Sequence, residues 1–185
     1  METTQTMQKR ELKTTEKKGI TVRDFILIGV LLAAGAVLKY FVGSVINIGG
    51  VKPNFIIAMY CLGILLIKPK LYEGAAIGIL AGAVCQFFPG TPYLNFLSEL
   101  AGAIVMTLMI RLVINIGKMN LTPAIATFVS TVVSGALFVS FLIIFLNASA
   151  STLVAYIPIV LGTAVINTVI VQVLYVPLKL ALKQE

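Results

Sequence analysis

Two charged residues stand where charge is costly: Glu99 in NFLSELAGAIV and Lys52 in INIGGVKPNF. An ionisable group within an apolar run marks a functional hypothesis by default. Glu99 falls about two turns inside the fourth apolar run, on the side that the loop cations assign as outer. A lone carboxylate there calls for a cation, a proton or a water-filled cavity. The structural alternative is an interhelical pair or a group snorkelling to the interface. Lys52 follows Gly49 and Gly50, which permit unusual backbone, and precedes Pro53, which fixes a helix start. One cation beside free helix N-terminal amides suits an anion such as a carboxylate. The plain alternative is an ammonium reaching outward to water. Lys39, in an otherwise apolar stretch, reads as snorkelling.

Amides gather at the same depth. Asn47, Asn54, Gln86, Asn95 and Asn147 fall near the outer ends of apolar runs, and Phe87, Phe88, Tyr93 and Tyr156 lie level with them. Aromatics at that depth form an interfacial belt. Amides, aromatics and opposite charges together also suit a pocket for an amphipathic, zwitterionic aromatic molecule. Asn167 is deeper, and an interhelical hydrogen bond explains it at least as well as a ligand does.

Other chemistry is excluded. Histidine is absent, which removes His triads, His zinc sites and His proton relays. Cys61 and Cys85 lie far apart in apolar runs and match no metal or redox spacing. There is no phosphate-cradling GxxxxGK[ST], no nucleophile elbow and no pair of catalytic acids. The reading is a protein that is not an enzyme and needs no cofactor or metal. A chain this small without an inverted repeat also fits a self-sufficient secondary transporter poorly. Substrate capture, with energy supplied by a partner, fits better.

The elements that must position these residues follow from composition. Of 185 residues, 59% are hydrophobic and 11% charged, and mean hydropathy is +1.04. Too few charges remain to cover a soluble surface. The chain therefore reads as an all-α integral membrane bundle of six transmembrane helices in the lipid bilayer. The spans are 22–45, 52–67, 71–88, 92–116, 122–147 and 151–180, the shorter ones accepted as tilted or end-solvated. Pro158 and Pro177 lie inside the last run and suggest a kink or an early end. Residues 1–20 form a basic, solvated tail, and residues 21–185 form the membrane domain. With the tail inside, Lys68, Lys70, Arg111, Lys118, Lys179 and Lys183 all fall on the inner side. That is a positive-inside pattern with both termini cytoplasmic. The net charge of +7 is then topology, and nucleic acid is not needed to explain it. On the first span Gly29, Ala33 and Ala36 make a small-residue stripe, read either as packing within the bundle or as a docking face for another membrane protein.

INIGGVKPNFIIAMYCLGILL resembles the end of helix 1 and helix 2 of the substrate-binding S-components of energy-coupling factor (ECF) transporters. The match is to the tryptophan-transport branch, which carries a GG-x-KP-D/N signature there. LLAAGAVL resembles the Ala-rich segment by which S-components dock on the coupling subunit. FFPGTPYLNFLSELAGA resembles the FP-x-x-x-x-x-N region before helix 4, and INTVIVQVLYVP the Asn-Thr and Tyr-Pro of the last helix. The resemblance spans about residues 25–180. Asn54 stands where some relatives carry Asp, and Ser98–Glu99 replaces an expected charged pair.

The resemblance implies a multi-pass protein of the bacterial plasma membrane that captures tryptophan from outside. It would deliver the substrate inward with a transmembrane coupling subunit and two ABC-type ATPases, toppling in the membrane as ATP is hydrolysed. Lys52 and Asn54 would help form the ligand site, with Asn95 and Asn167 as further candidates. On the residues themselves, Glu99 pairs with the ligand ammonium, Lys52 takes its carboxylate, and Tyr and Phe side chains stack on its ring; Gln86, Tyr93 and Tyr156 complete the candidate set. Gly29, Ala33 and Ala36 would dock the coupling subunit. Two rivals stand beside this reading: an S-component for a vitamin or vitamin precursor, and a non-transporting membrane scaffold subunit.

Overall fold

A computed structural model describes residues 19–45, 53–88, 93–117 and 119–183. The basic tail up to residue 18, Asn47 and Lys52 lie outside the described residues. Six helices follow one another: α1 (Val22–Val45), α2 (Ile56–Ile67), α3 (Leu71–Cys85), α4 (Leu94–Met109), α5 (Thr122–Leu146) and α6 (Ala150–Lys183). Between α4 and α5 sits a minimal antiparallel ladder of β1 (Asn115–Ile116) and β2 (Met119–Asn120).

The helices divide by length. Segments Val22–Gly43, Thr122–Leu146 and Val154–Leu182 are long and apolar enough to cross a membrane, whereas α2, α3 and α4 are shorter apolar helices. At 12 residues, α2 is only about 18 Å long against a hydrocarbon core of about 30 Å. It is the centre of the bundle. Ile56 to Leu65 are all buried, and α2 packs against every other helix. An element with no polar face can only be a core strut or a lipid-facing span, and its neighbours make it the former. The long helices carry most of the exposed apolar surface, including Phe25, Val30, Phe41, Ile144, Val165 and Val173, and α3 and α4 add Tyr72, Ile79 and Leu97. The chain is a multi-pass membrane protein.

Local chemistry fixes the helix ends. Thr21 donates its backbone N–H and its hydroxyl to Asp24 at 2.9 and 2.8 Å, and Asp24 N–H returns a bond to Thr21 Oγ1 at 3.3 Å. This reciprocal cap starts α1. Glu73 ties that start to α3: its Oε2 accepts from Lys70 N–H at 2.7 Å and its Oε1 from Ile20 N–H at 3.2 Å. Lys68, with φ 52°, caps α2 in the left-handed region just before Pro69.

Three expectations change. The apolar run to residue 116 is not helical throughout, because α4 stops at Met109. Thr122 Oγ1 accepts from Ile114 N–H at 2.9 Å and donates to the Leu112 carbonyl at 3.3 Å, holding the chain in a hairpin that Gly117 turns at φ 62°. The third helix ends at Cys85 rather than Phe88, tightening into a turn in which Phe88 N–H reaches the Cys85 carbonyl. Of the kink or early end expected at Pro158 and Pro177, the early end does not occur: the sixth helix runs through both to Lys183.

Antiparallel α3 and α4 pack through glycine. A Cβ on Gly78 would lie 2.8 Å from the Glu99 carbonyl oxygen, Leu100 Cα and Ala103 Cβ, and one on Gly82 would lie 2.8 Å from Phe96 Cα. Only glycine lets the two backbones approach so closely. This contact fixes the height of Glu99.

Candidate functional site

Glu99 is 1% exposed and sits where α2, α4 and α5 meet. Its Oε1 accepts from Asn54 Nδ2 at 2.5 Å, and its Oε2 accepts from Ser134 Oγ at 3.2 Å. The Tyr60 hydroxyl, on α2, faces the same carboxylate. Tyr60 also stands 3.5 Å from Ser130 Oγ, which donates to the Gly102 carbonyl at 2.8 Å. Both carboxylate oxygens are thus satisfied by neutral donors, which a buried acid requires.

Asn54 immediately precedes the first turn of α2 and is held from two sides. Its side chain donates to Glu99, while its backbone carbonyl accepts from Asn167 Nδ2, on α6, at 3.1 Å. Asn167 is wholly buried, and its Oδ1 has no hydrogen-bond partner among the described residues. A buried acceptor left empty costs about 1–3 kcal/mol.

On the other side of Asn54 lies Cys85, at the end of α3. Asn54 Nδ2 and Lys39 Nζ each approach its sulfur to 3.8 Å. The Lys39 ammonium also lies 5.0 Å from the Phe88 ring centroid, a cation–π contact. Its charge acts on Glu99, yet no ion pair joins these two groups. All six helices or their ends therefore contribute a side chain to one polar cluster in an apolar bundle.

The expected site residues divide. Asn54, Glu99 and Asn167 come together. Lys52 lies outside the described residues. Asn95 is half-buried on α4, with its carbonyl accepting from Ser98 Oγ at 3.4 Å. Gln86 links the end of α3 to the start of α4, donating to the Gly82 carbonyl at 3.0 Å and accepting from Tyr93 N–H at 3.2 Å. Tyr93 is exposed, with φ 69°. Tyr156 lines a separate apolar groove of about 150 Å³ between α5 and α6, with Val132, Val139 and Val160. Gly29 and Ala33 face away from the bundle, and Ala36 is half-buried.

Lys39 corrects an expectation: it points at the cluster rather than snorkelling away from it. Ser134, Ser130, Tyr60 and Cys85 are also members that the residue pattern did not single out. One signal was present. Thr127, Ser130, Thr131 and Ser134 repeat at helical spacing along α5, and all are buried. That is a polar stripe inside an apolar helix. Among the described residues no cluster of His, Cys, Asp and Glu could hold a metal ion.

The chain matches the family described as tryptophan transporter TrpP over residues 21–183. A "probable tryptophan transport protein" of Clostridium acetobutylicum is 26% identical over 167 residues, covering 89% of this chain and 96% of that protein. Its counterpart in Bacillus subtilis is 25% identical over 156 residues, covering 83% and 88%. A third, from Clostridium perfringens, is 29% identical over 162 residues, covering 81% and 88%. No solved structure matches the chain.

Proposed function

The chain belongs to the tryptophan transporter TrpP family, and from that membership we propose that it captures tryptophan at the Glu99 cluster and passes it inward as the S-component of an ECF-type importer. The observation that carries the site is Glu99 itself. It is a fully buried carboxylate with its oxygens held by Asn54 and Ser134, and Asn54 links it in turn to Asn167, whose Oδ1 has no partner among the described residues. An amino-acid ammonium brings three donors and one positive charge. It suits a carboxylate and a carbonyl oxygen facing one space. Asn54, whose side-chain amide donates to Glu99 and whose backbone carbonyl accepts from Asn167, orients both groups. Asn95, Gln86 and Tyr93 shape the α3–α4 end of the site.

In this reading all six helices span, with α2 as the short core strut between the others, and both termini are cytoplasmic. The loop cations support that orientation. The site then opens outward, at the end where α1, α3 and α5 finish. The chain itself carries no phosphate-binding loop, so the energy comes from two ABC-type ATPases through a transmembrane coupling subunit. The face of α1 bearing Gly29 and Ala33 is the docking surface for that subunit, and its small residues permit close helix approach.

The absence of tryptophan from the sequence gives a direct test. Selective excitation of indole leaves the protein dark, so bound tryptophan reports itself by a blue-shifted, polarised emission. The expected result is saturable, one-to-one binding by the purified chain in detergent or nanodiscs. Unaltered tryptophan emission at stoichiometric protein, with stabilisation by a vitamin instead, would move the ligand and keep the class. Stabilisation by neither would favour the scaffold reading.

A second expectation separates capture from coupling. A Cβ added at Gly29 would meet nothing within 4 Å, so Gly29→Leu starts in open surroundings. It is expected to keep tryptophan affinity and Tm while reducing uptake in cells that carry the coupling module by about tenfold or more, as a side chain in a close helix interface does. Normal uptake by Gly29→Leu would remove this face from the docking surface.

A further inference from the structure

We propose that Lys39 is the residue that recognises the substrate's α-carboxylate, and that Phe88 and Cys85 form the wall against which the substrate's backbone end is placed. The proposal rests on the reading of the Glu99 cluster as a tryptophan site, and goes beyond it by assigning the second charge.

Lys39 points toward the polar cluster. It lies on α1, whose outward face is apolar, and it is half-buried on the inward side. Its ammonium is placed 3.8 Å from the Cys85 sulfur and 5.0 Å from the Phe88 ring centroid. Neither neighbour is an anion, and among the described residues no carboxylate pairs with it. A lysine serving only to anchor the helix extends toward water along its flexible stem. This one turns to a thiol and a ring at the bundle's edge, and neither supplies an anion.

The second observation is the separation of charges. Lys39 is near enough to act electrostatically on Glu99, yet the two do not form an ion pair. Cys85 and Asn54 stand between them, Asn54 Nδ2 touching the sulfur at 3.8 Å and the Glu99 carboxylate at 2.5 Å. A cation and an anion held apart across a neutral spacer are the complement of a zwitterion: ammonium to Glu99 and Asn167 Oδ1, carboxylate to Lys39. Direct collapse of the pair would close the site, and the Asn54–Cys85 spacer prevents it. The Phe88 ring stands beside Lys39, where it shields the new ion pair from water and strengthens it.

The test uses ligands that each lack one charge. Tryptamine has no carboxylate and indole-3-propionate has no ammonium, and both report by indole emission on the dark protein. The full-length wild type is expected to prefer tryptophan over tryptamine by about 30-fold or more, the scale of a desolvated charge pair. Lys39→Met is expected to weaken tryptophan binding by a similar factor while leaving tryptamine binding unchanged or improved. Its preference for tryptophan over tryptamine then disappears. Lys39→Arg should restore part of the preference. Indole-3-propionate should lose affinity in Lys39→Met as tryptophan does. Two parallel arms make failure readable. If wild type binds neither tryptophan nor tryptamine, the tryptophan reading falls and this proposal with it. If wild type prefers tryptophan and Lys39→Met keeps that preference, Lys39 is not the carboxylate partner. If the preference is lost in Lys52→Ala instead, the role belongs to Lys52. Weakening of both ligands alike in Lys39→Met overturns the proposal in favour of a packing role.

Discussion

Glu99→Gln is expected to lower tryptophan affinity by about 100-fold or more and to leave Tm unchanged or raised. Truncating one partner of a buried, hydrogen-bonded charge pair costs about 2–5 kcal/mol of binding. Glutamine has the shape of glutamate, so the packing around position 99 survives. Its side-chain oxygen still accepts from Asn54 Nδ2, and its amide can donate to Ser134, whose hydroxyl turns from donor to acceptor. What disappears is the formal charge. The folded apo protein gains, because a charge no longer has to be held in an apolar interior. The ligand loses, because its ammonium now meets a neutral amide. Opposite signs on stability and affinity separate a binding carboxylate from a structural one. Tryptophan titration followed by emission, with thermal unfolding of the same samples, reads both. If affinity is kept and Tm falls by many degrees, Glu99 is a pillar of the bundle and the ligand binds elsewhere.

Gly78→Leu is expected to cause a large loss of stability. The first added atom, Cβ, would already stand 2.8 Å from the Glu99 carbonyl oxygen, Leu100 Cα and Ala103 Cβ. None of these is the far end of a flexible side chain, so α3 and α4 must separate. Overpacking in a tight core costs about 1–3 kcal/mol when side chains can yield, and backbone contact places this substitution at or above about 3 kcal/mol. Gly78→Ala is expected to be milder and to show the same sign. The displaced backbone carries Glu99, so any Gly78→Leu protein that accumulates should bind tryptophan weakly as well. Thermal unfolding in detergent, with Gly29→Leu as a matched control in open surroundings, checks the claim. Equal Tm for the two leucine variants would refute the close α3–α4 approach.

The two predictions meet at one point of the fold. Glycine on α3 sets the height of α4, and the height of α4 brings the Glu99 carboxylate level with Asn54 and Ser134. Stability at the α3–α4 seam and chemistry at the site are therefore coupled through backbone position. Substitutions at Gly82, whose Cβ would meet Phe96 Cα, belong to the same group.

Membrane residence, the number of helices and the transporter family were legible in the residues. Hydropathy and loop charge are sums over neighbouring positions, and a bilayer reads them segment by segment. Glu99, Asn54 and Asn167 were equally legible, because polar groups in apolar runs carry their cost wherever the helix points. The GG-x-KP and FP-x-x-x-x-x-N segments carried the family. What composition could not give was helix rotation and depth. The direction of Lys39 depends on which face α1 turns to α3, and an apolar helix with no polar stripe leaves that open. Cys85 and Tyr60 look like core residues until helices far apart in the chain bring them beside Asn54 and Glu99. The hairpin after α4 reads as helix by hydropathy alone, and it forms because Thr122 holds the backbone of Leu112 and Ile114. The sequence by itself determined which groups are costly in a membrane. The tertiary structure decided which of them face one another, because that depends on contacts between segments and not on the composition of any one of them.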